Sequence, residues 1–156
     1  MMRAVLVMAA LAVALPAQAA EKAPPYWASI VPNKARTRTG PGRNFPGAWL
    51  YQRSGLPVRV IATYPNWRKI TDPDGATGWI QSNMLSDKRT ALVIGSAREM
   101  REHADDTAKI AWRVAPGVVG AVSECDSRWC RFETAGKVGF VPRGGLWGLA
   151  PGEQLP

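Results

Sequence analysis

The chain has 156 residues and a formal net charge of +8, with 20 Lys+Arg against 12 Asp+Glu. Apolar residues make up 46% and charged residues 21%, the balance of a globular protein rather than a disordered one. One His and two Cys exclude a metal site built from His and Cys clusters, leave few parts for acid–base or nucleophilic chemistry, and point to no cofactor.

Residues 1–19 read as a secretory signal. Arg3 supplies a short positive start, Ala4 to Leu15 is an uncharged apolar run, and Pro16 breaks it. Ala17-Gln18-Ala19 has the small-x-small form of a cleavage site, so cleavage is expected near Ala19. The run is shorter than the roughly 20 apolar residues of a spanning helix, so no stable membrane anchor is expected. The expected location is periplasmic or secreted. Export removes nucleic acid and nucleotides from the expected partners. It leaves anionic lipid, acidic polysaccharide and the carboxylates of cell-wall peptides. The basic residues are dispersed (Arg36, Arg38 and Arg43, then Arg98 and Arg101, then Arg128 and Arg131). A solvated surface and a functional basic face both remain open readings.

From Ala28 onward the pattern is all-β. Gly and Pro number 15 and 13, which favours short strands and frequent turns. Ala48 to Gln52 reads as a strand with Trp49 and Tyr51 on one side and Leu50 on the other. Val58 to Ala62 and Trp67 to Thr71 follow, separated by Tyr64-Pro65-Asn66. Asp72-Pro73-Asp74-Gly75 is a turn, Gly78 to Gln81 a short strand, and Ser82 to Leu85 one helical turn.

The layout then recurs. Displaced by 62 positions, Gly55 meets Gly117, Val60 meets Val122, Trp67 meets Trp129 and Ile70 meets Phe132. One residue fewer in the next turn aligns Gly78 with Gly139, Trp79 with Phe140, Ile80 with Val141 and Leu85 with Leu146. The matches fall on turn glycines and large apolar residues, the positions a small barrel constrains. Two barrels are expected, over 28–86 and 92–148, with Ser86 to Arg89 between them and a tail over 149–156. Residues 97–112 have good helix propensity and an approximate helical stripe of Met100, Ala104, Ala108 and Ala111. The repeat instead calls for strand, loop, strand, with Met100-Arg101 matching Thr37-Arg38, and we follow the repeat.

Arg38-Thr39-Gly40-Pro41-Gly42, Gly55-Leu56-Pro57-Val58, Trp67, and Asp74-Gly75 before Gly78-Trp79-Ile80 resemble the bacterial SH3-like (SH3b) family. Cys125, Trp129-Cys130, Gly139-Phe140-Val141 and Leu146-Trp147-Gly148 carry the likeness through a second copy. The chain is thus similar to the tandem, exported two-barrel type. The resemblance implies binding rather than catalysis, with a cell-wall peptide or a protein partner as ligand. The second copy departs from the pattern: Glu102-His103-Ala104 stands where the first has Gly40-Pro41-Gly42, so its leading loop is acidic and lacks those pins.

Cys125 and Cys130 flank a predicted hairpin turn in an exported chain, which favours a structural disulfide, stabilising by about 2 kcal/mol. Four intervening residues do not suit a redox dithiol, and a catalytic thiol would have only His103 as base. Of the seven tryptophans, Trp147 and one of Trp67 or Trp79 are expected in the core. The expected ligand-binding set is Arg38, Arg43, Asn44, Trp49, Tyr51, Trp67 and Trp79, with Phe45, Trp49 and Tyr51 as a stacking floor beside the 38–44 loop. Arg38 is equally readable as a tie between that loop and its barrel. The function expected is recognition of peptidoglycan stem peptides by the first barrel. The alternative is an interaction module that recruits or regulates another envelope protein. Oligomeric state is not legible.

Overall fold

The computed structural model describes residues 21–156, and the expected signal segment over 1–19 lies outside them. The first unit contains β1 (Tyr26–Ile30), β2 (Ala35–Arg38), β3 (Gly47–Tyr51), β4 (Pro57–Tyr64), β5 (Trp67–Thr71), β6 (Thr77–Gln81) and β7 (Leu85–Ser86). The second contains β8 (Thr90–Val93), β9 (Arg98–Arg101), β10 (Ile110–Val114), β11 (Val119–Ser123), β12 (Trp129–Thr134), β13 (Lys137–Pro142) and β14 (Leu146–Trp147). A single 3-10 turn precedes the last strand of each, at Ser82–Met84 and Arg143–Gly145. The strand orders are β3-β2-β6-β5-β4-β1-β7 and β10-β9-β13-β12-β11-β8-β14, the same order repeated. Every pairing is antiparallel.

The repeat therefore describes the molecule at residue level. Arg38 is the register partner of Trp79, and Arg101 that of Phe140. Residues 98–114 form β9, a loop and β10, not a helix. Met100 is fully buried there, as Thr37 is in the first barrel, so tertiary packing overrides the local helix propensity.

Each barrel has its own apolar core. Ala28, Ile30, Val58, Val60, Ile70 and Ile80 fill the first; Ala91, Val93, Met100, Val122, Phe132 and Val141 fill the second. Burying each Val, Ile, Met or Phe among them stabilises by roughly 1.5–3 kcal/mol. The cores differ in how one space is divided. Val58 and Ile70 in the first barrel correspond to Gly120 and Phe132 in the second. A Cβ on Gly120 would lie 2.5 Å from Phe132 Cζ and 2.6 Å from the Glu133 carbonyl oxygen, so the glycine makes room for the ring.

Turn chemistry is as the sequence predicts at Asp72-Pro73-Asp74-Gly75. Asp72 Oδ1 accepts the N–H groups of Asp74 and Ala76 at 3.0 and 2.8 Å, and Gly75 takes a left-handed φ of +83°. Cys125 and Cys130 form a disulfide with Cα atoms 4.1 Å apart. Their counterparts at an offset of 62, Thr63 and Arg68, are direct register partners across the β4–β5 hairpin. Past Ser123 the β11–β12 ladder gives way, and Cys125 pairs with Leu155 instead. The covalent bond thus closes a hairpin whose hydrogen-bonded ladder has stopped short. Replacing both cysteines with alanine is expected to lower stability by about 2 kcal/mol, read as an earlier urea midpoint, and to leave first-barrel ligand binding unchanged.

The segment over 149–156 is docked rather than loose. Arg143 donates to the carbonyls of Ala150 and Glu153 at 2.8 and 2.7 Å, and Leu155 packs on the second core. Arg89 chelates the Glu153 carboxylate, and these hydrogen bonds hold its carboxyl below the usual range, with the Ala150 N–H assisting.

The two barrels meet in a seam. Trp27 and Trp147 pack edge to face with ring centroids 5.0 Å apart, and Trp147 Nε1 donates to the Pro57 carbonyl at 3.3 Å. Thr90 Oγ1 donates to the Gly55 carbonyl at 2.7 Å, and the Arg53 guanidinium to that of Gly117. Trp147, expected as a core residue, is half-buried in this seam because its indole N–H needs the carbonyl that the other barrel offers.

Candidate functional site

The loop from Thr39 to Pro46 is tied down by its own residues. Thr39 N–H donates to the Pro46 carbonyl at 3.0 Å, and the Phe45 ring lies on Gly40, where a side chain would overlap it. Arg38 reaches across the loop and donates to the Phe45 carbonyl at 2.7 Å. Arg101 does the same in the second barrel, donating to the Ala108 carbonyl at 2.6 Å. Arg38 is accordingly a loop tie, the second of the two roles expected for it. The second loop has its own pin as well: Asp105 Oδ1 accepts the N–H and the hydroxyl of Thr107, both at 2.6 Å, which holds its carboxyl below the usual range. His103 is exposed in that loop.

Arg43 and Asn44 stand exposed at the tip of the first loop. The Arg43 guanidinium has no ion-pair or hydrogen-bond partner among the described residues. It borders a groove of about 510 Å³ whose other walls are Asn66, Trp67, Gln81, Ser82 and Asn83. Asn66 adopts φ +62° in the β4–β5 turn, a conformation asparagine tolerates well. Trp67, which pairs in register with Gln81, is 8% exposed and offers this groove little of its surface. The carboxamides at 66, 81 and 83 are functional candidates that sequence reasoning missed, although Asn66 was legible as a turn residue.

The expected stacking floor does not form. Tyr51 is only 6% exposed, and its hydroxyl donates to Asp72 Oδ2 at 3.0 Å. Burial, then the Asp72 carboxylate, pushes the phenol pKa well above its usual value. Trp49 is 58% exposed. Strand alternation would put both on one face. Both do line one groove, at the seam between the barrels, but Tyr51 is buried there while Trp49 stands out at a bulge, where residues 48 and 49 of β3 oppose Thr37 alone between the pairs Arg36↔Leu50 and Arg38↔Gly47. The same bulge recurs in β10, where Ala111 is extra between the pairs at Arg101 and Met100, and there Trp112 is 43% exposed. Trp79 lies half-buried on the outer sheet face, its ring edge-on to Tyr64 at 6.5 Å.

The expected site residues thus divide among three places. Arg43 and Trp67 border the loop groove, and Trp79 lies on the sheet face. Trp49 and Tyr51 line a groove of about 610 Å³ at the seam with Leu56, Asp74, Ile94 and Pro116. The second-barrel walls of that groove had no local signal in the sequence. Among the described residues, no three His, Cys, Asp or Glu side chains gather as a metal site, and no helix is long and apolar enough to cross a membrane.

Two seven-stranded units of identical order, with exposed grooves, define a tandem of small β-barrel modules. The bacterial SH3 domain matches the chain twice, over residues 31–87 and 97–148, and the chain belongs to that family. No curated protein matches it. Two solved structures from Trichomonas vaginalis are similar. NlpC2 has 9% identity and a TM-score of 0.36, covering 81% of this chain and 49% of its own. NlpC1 has 11% identity and a TM-score of 0.36, covering 87% of this chain and 50% of its own. The chain spans about half the length of each.

Proposed function

We propose that this is an exported, non-catalytic binding protein that recognises the peptide part of peptidoglycan through the loop groove of its first barrel. The observation that carries the reading is Arg43, a guanidinium with no partner among the described residues, at the mouth of a groove walled by three carboxamides. Guanidinium suits a peptide carboxylate, and carboxamides suit peptide N–H and C=O groups. The Cys125–Cys130 disulfide supports an oxidising, extracytoplasmic compartment. The family's usual role as a binding module agrees with a residue inventory poor in catalytic groups.

Sedimentation with purified sacculi tests this. Arg43→Glu is expected to weaken binding about tenfold and to flatten its dependence on salt, because an exposed charge contact is screened by ions. The variant should fold as the parent does, since exposed substitutions shift stability by only about 0.5 kcal/mol. A folded Arg43→Glu protein that sediments with sacculi like the parent would place the wall contact elsewhere.

A further inference from the structure

The two equivalent exposed tryptophans are treated differently by the chain. In the second barrel Lys137 extends over the Trp112 ring, with Nζ 4.4 Å from the centroid. An ammonium there is held by the ring's negative face. In the first barrel the position equivalent to Lys137 is Ala76, one residue after Gly75 as Lys137 is one after Gly136. Among the described residues, no cation lies over Trp49 as Lys137 lies over its counterpart.

The surroundings of Trp49 are suited to a cation brought from outside. Of the twelve carboxylates, Asp74 has neither an ion pair nor a side-chain hydrogen bond among the described residues. It borders the same seam groove as Trp49. Asp72, buried at the groove floor, adds a second negative charge, and the Arg53 guanidinium is turned onto the Gly117 carbonyl of the other barrel. The remaining walls are apolar: Leu56 from the first barrel, Ile94 and Pro116 from the second. The seam bonds at Thr90, Trp147 and Arg53 hold the walls in place before any ligand arrives, which reduces the ordering cost of binding.

We propose that the seam groove binds an extended segment of a protein partner, placing a lysine or arginine side chain between the Trp49 ring and Asp74 and apolar neighbours against Leu56, Ile94 and Pro116. This site is opposite in charge to the Arg43 groove and does not rest on the wall reading. It gives the chain a second, protein-directed ligand.

The test uses fluorescence anisotropy with two labelled ten-residue peptides. One alternates lysine with leucine and proline; the other has glutamate at every lysine position. On a protein of net charge +8, unspecific attraction favours the glutamate peptide, so preference for lysine reports the groove. The lysine peptide is expected to bind more tightly. Trp49→Ala and Asp74→Asn should each weaken it about tenfold. Ala76→Lys should do the same by supplying the cation internally, as Lys137 does in the second barrel. Arg43→Glu should leave this binding unchanged. Tighter binding of the glutamate peptide, or an Ala76→Lys variant that binds the lysine peptide like the parent, overturns the proposal.

Discussion

Gly120→Val is expected to destabilise the protein by about 1–3 kcal/mol, and Phe132→Ile made with it is expected to recover at least half of that loss. Val58 and Ile70 both belong to the first core, at the positions that Gly120 and Phe132 occupy in the second. The second core assigns nearly all of that volume to one ring. A new Cβ on Gly120 meets Phe132 Cζ at 2.5 Å and Cε1 at 2.7 Å, and neither atom can retreat in a fully buried side chain. Shortening Phe132 removes the ring contacts, although the Glu133 carbonyl at 2.6 Å remains and keeps the rescue partial. Phe132→Ala alone, which leaves a cavity, should cost about 3–5 kcal/mol. Urea midpoints of the single and double variants form a cycle, and the coupling should be at least about 1 kcal/mol. Additive effects would show that Gly120 and Phe132 do not share one volume in the second core.

Tyr51→Ala should cost about 3–5 kcal/mol and appear as unfolding rather than as selective loss of ligand. Tyr51→Phe should cost about 1–3 kcal/mol, because Asp72 Oδ2 loses its hydroxyl partner at a site only 5% exposed, while Oδ1 keeps two backbone N–H groups. The exposed Trp49→Ala should stay within about 0.5 kcal/mol of the parent. The phenol also sets a pH limit. Its folded-state pKa is raised by burial and by Asp72, so its contribution is fully present below the unfolded value of about 10. That contribution is lost as pH rises toward the folded value. Tyr51→Phe should therefore flatten the alkaline limb of the stability curve. An unchanged midpoint for Tyr51→Ala would restore Tyr51 as a surface residue.

The parts of the fold that sequence made legible are those where one local constraint dominates. Turn glycines and buried apolar residues recur at an offset of 62, then 61, so a second barrel was legible despite a helical pattern at Met100, Ala104 and Ala108, although its first strand, β8, starts at Thr90 rather than at 92. The Asp72 turn and the Cys125–Cys130 pair carry their chemistry within a few residues. The candidate site was only partly legible. Alternation along Ala48 to Gln52 places Trp49 and Tyr51 together, and both line the seam groove, but the contact with Asp72 that buries the phenol and the bulge at Trp49 have no mark in the local sequence. Arg38 was readable from sequence as either a tie or a contact, and its bond to the Phe45 carbonyl shows the tie, while Arg43 has no partner among the described residues. The seam groove depends on where Ile94 and Pro116 come to rest, which is a property of two barrels and not of either string. The clasp of Arg143 over the 149–156 segment is non-local in the same way.

A chain that carries one strand order twice runs the hazard of assembling across its copies, a known failure of repeat proteins. The unequal division of core volume opposes such exchange. If β4 were to pair with β12, Val58 would face the Phe132 ring and overfill the hybrid core. If β11 were to pair with β5, Gly120 would face Ile70 and leave a hole. The disulfide acts in the same direction, since it joins two residues five apart and keeps β11 and β12 in one hairpin. Two barrels alike in path but unlike in filling thus carry separate keys, and each copy is directed to its own partners during folding.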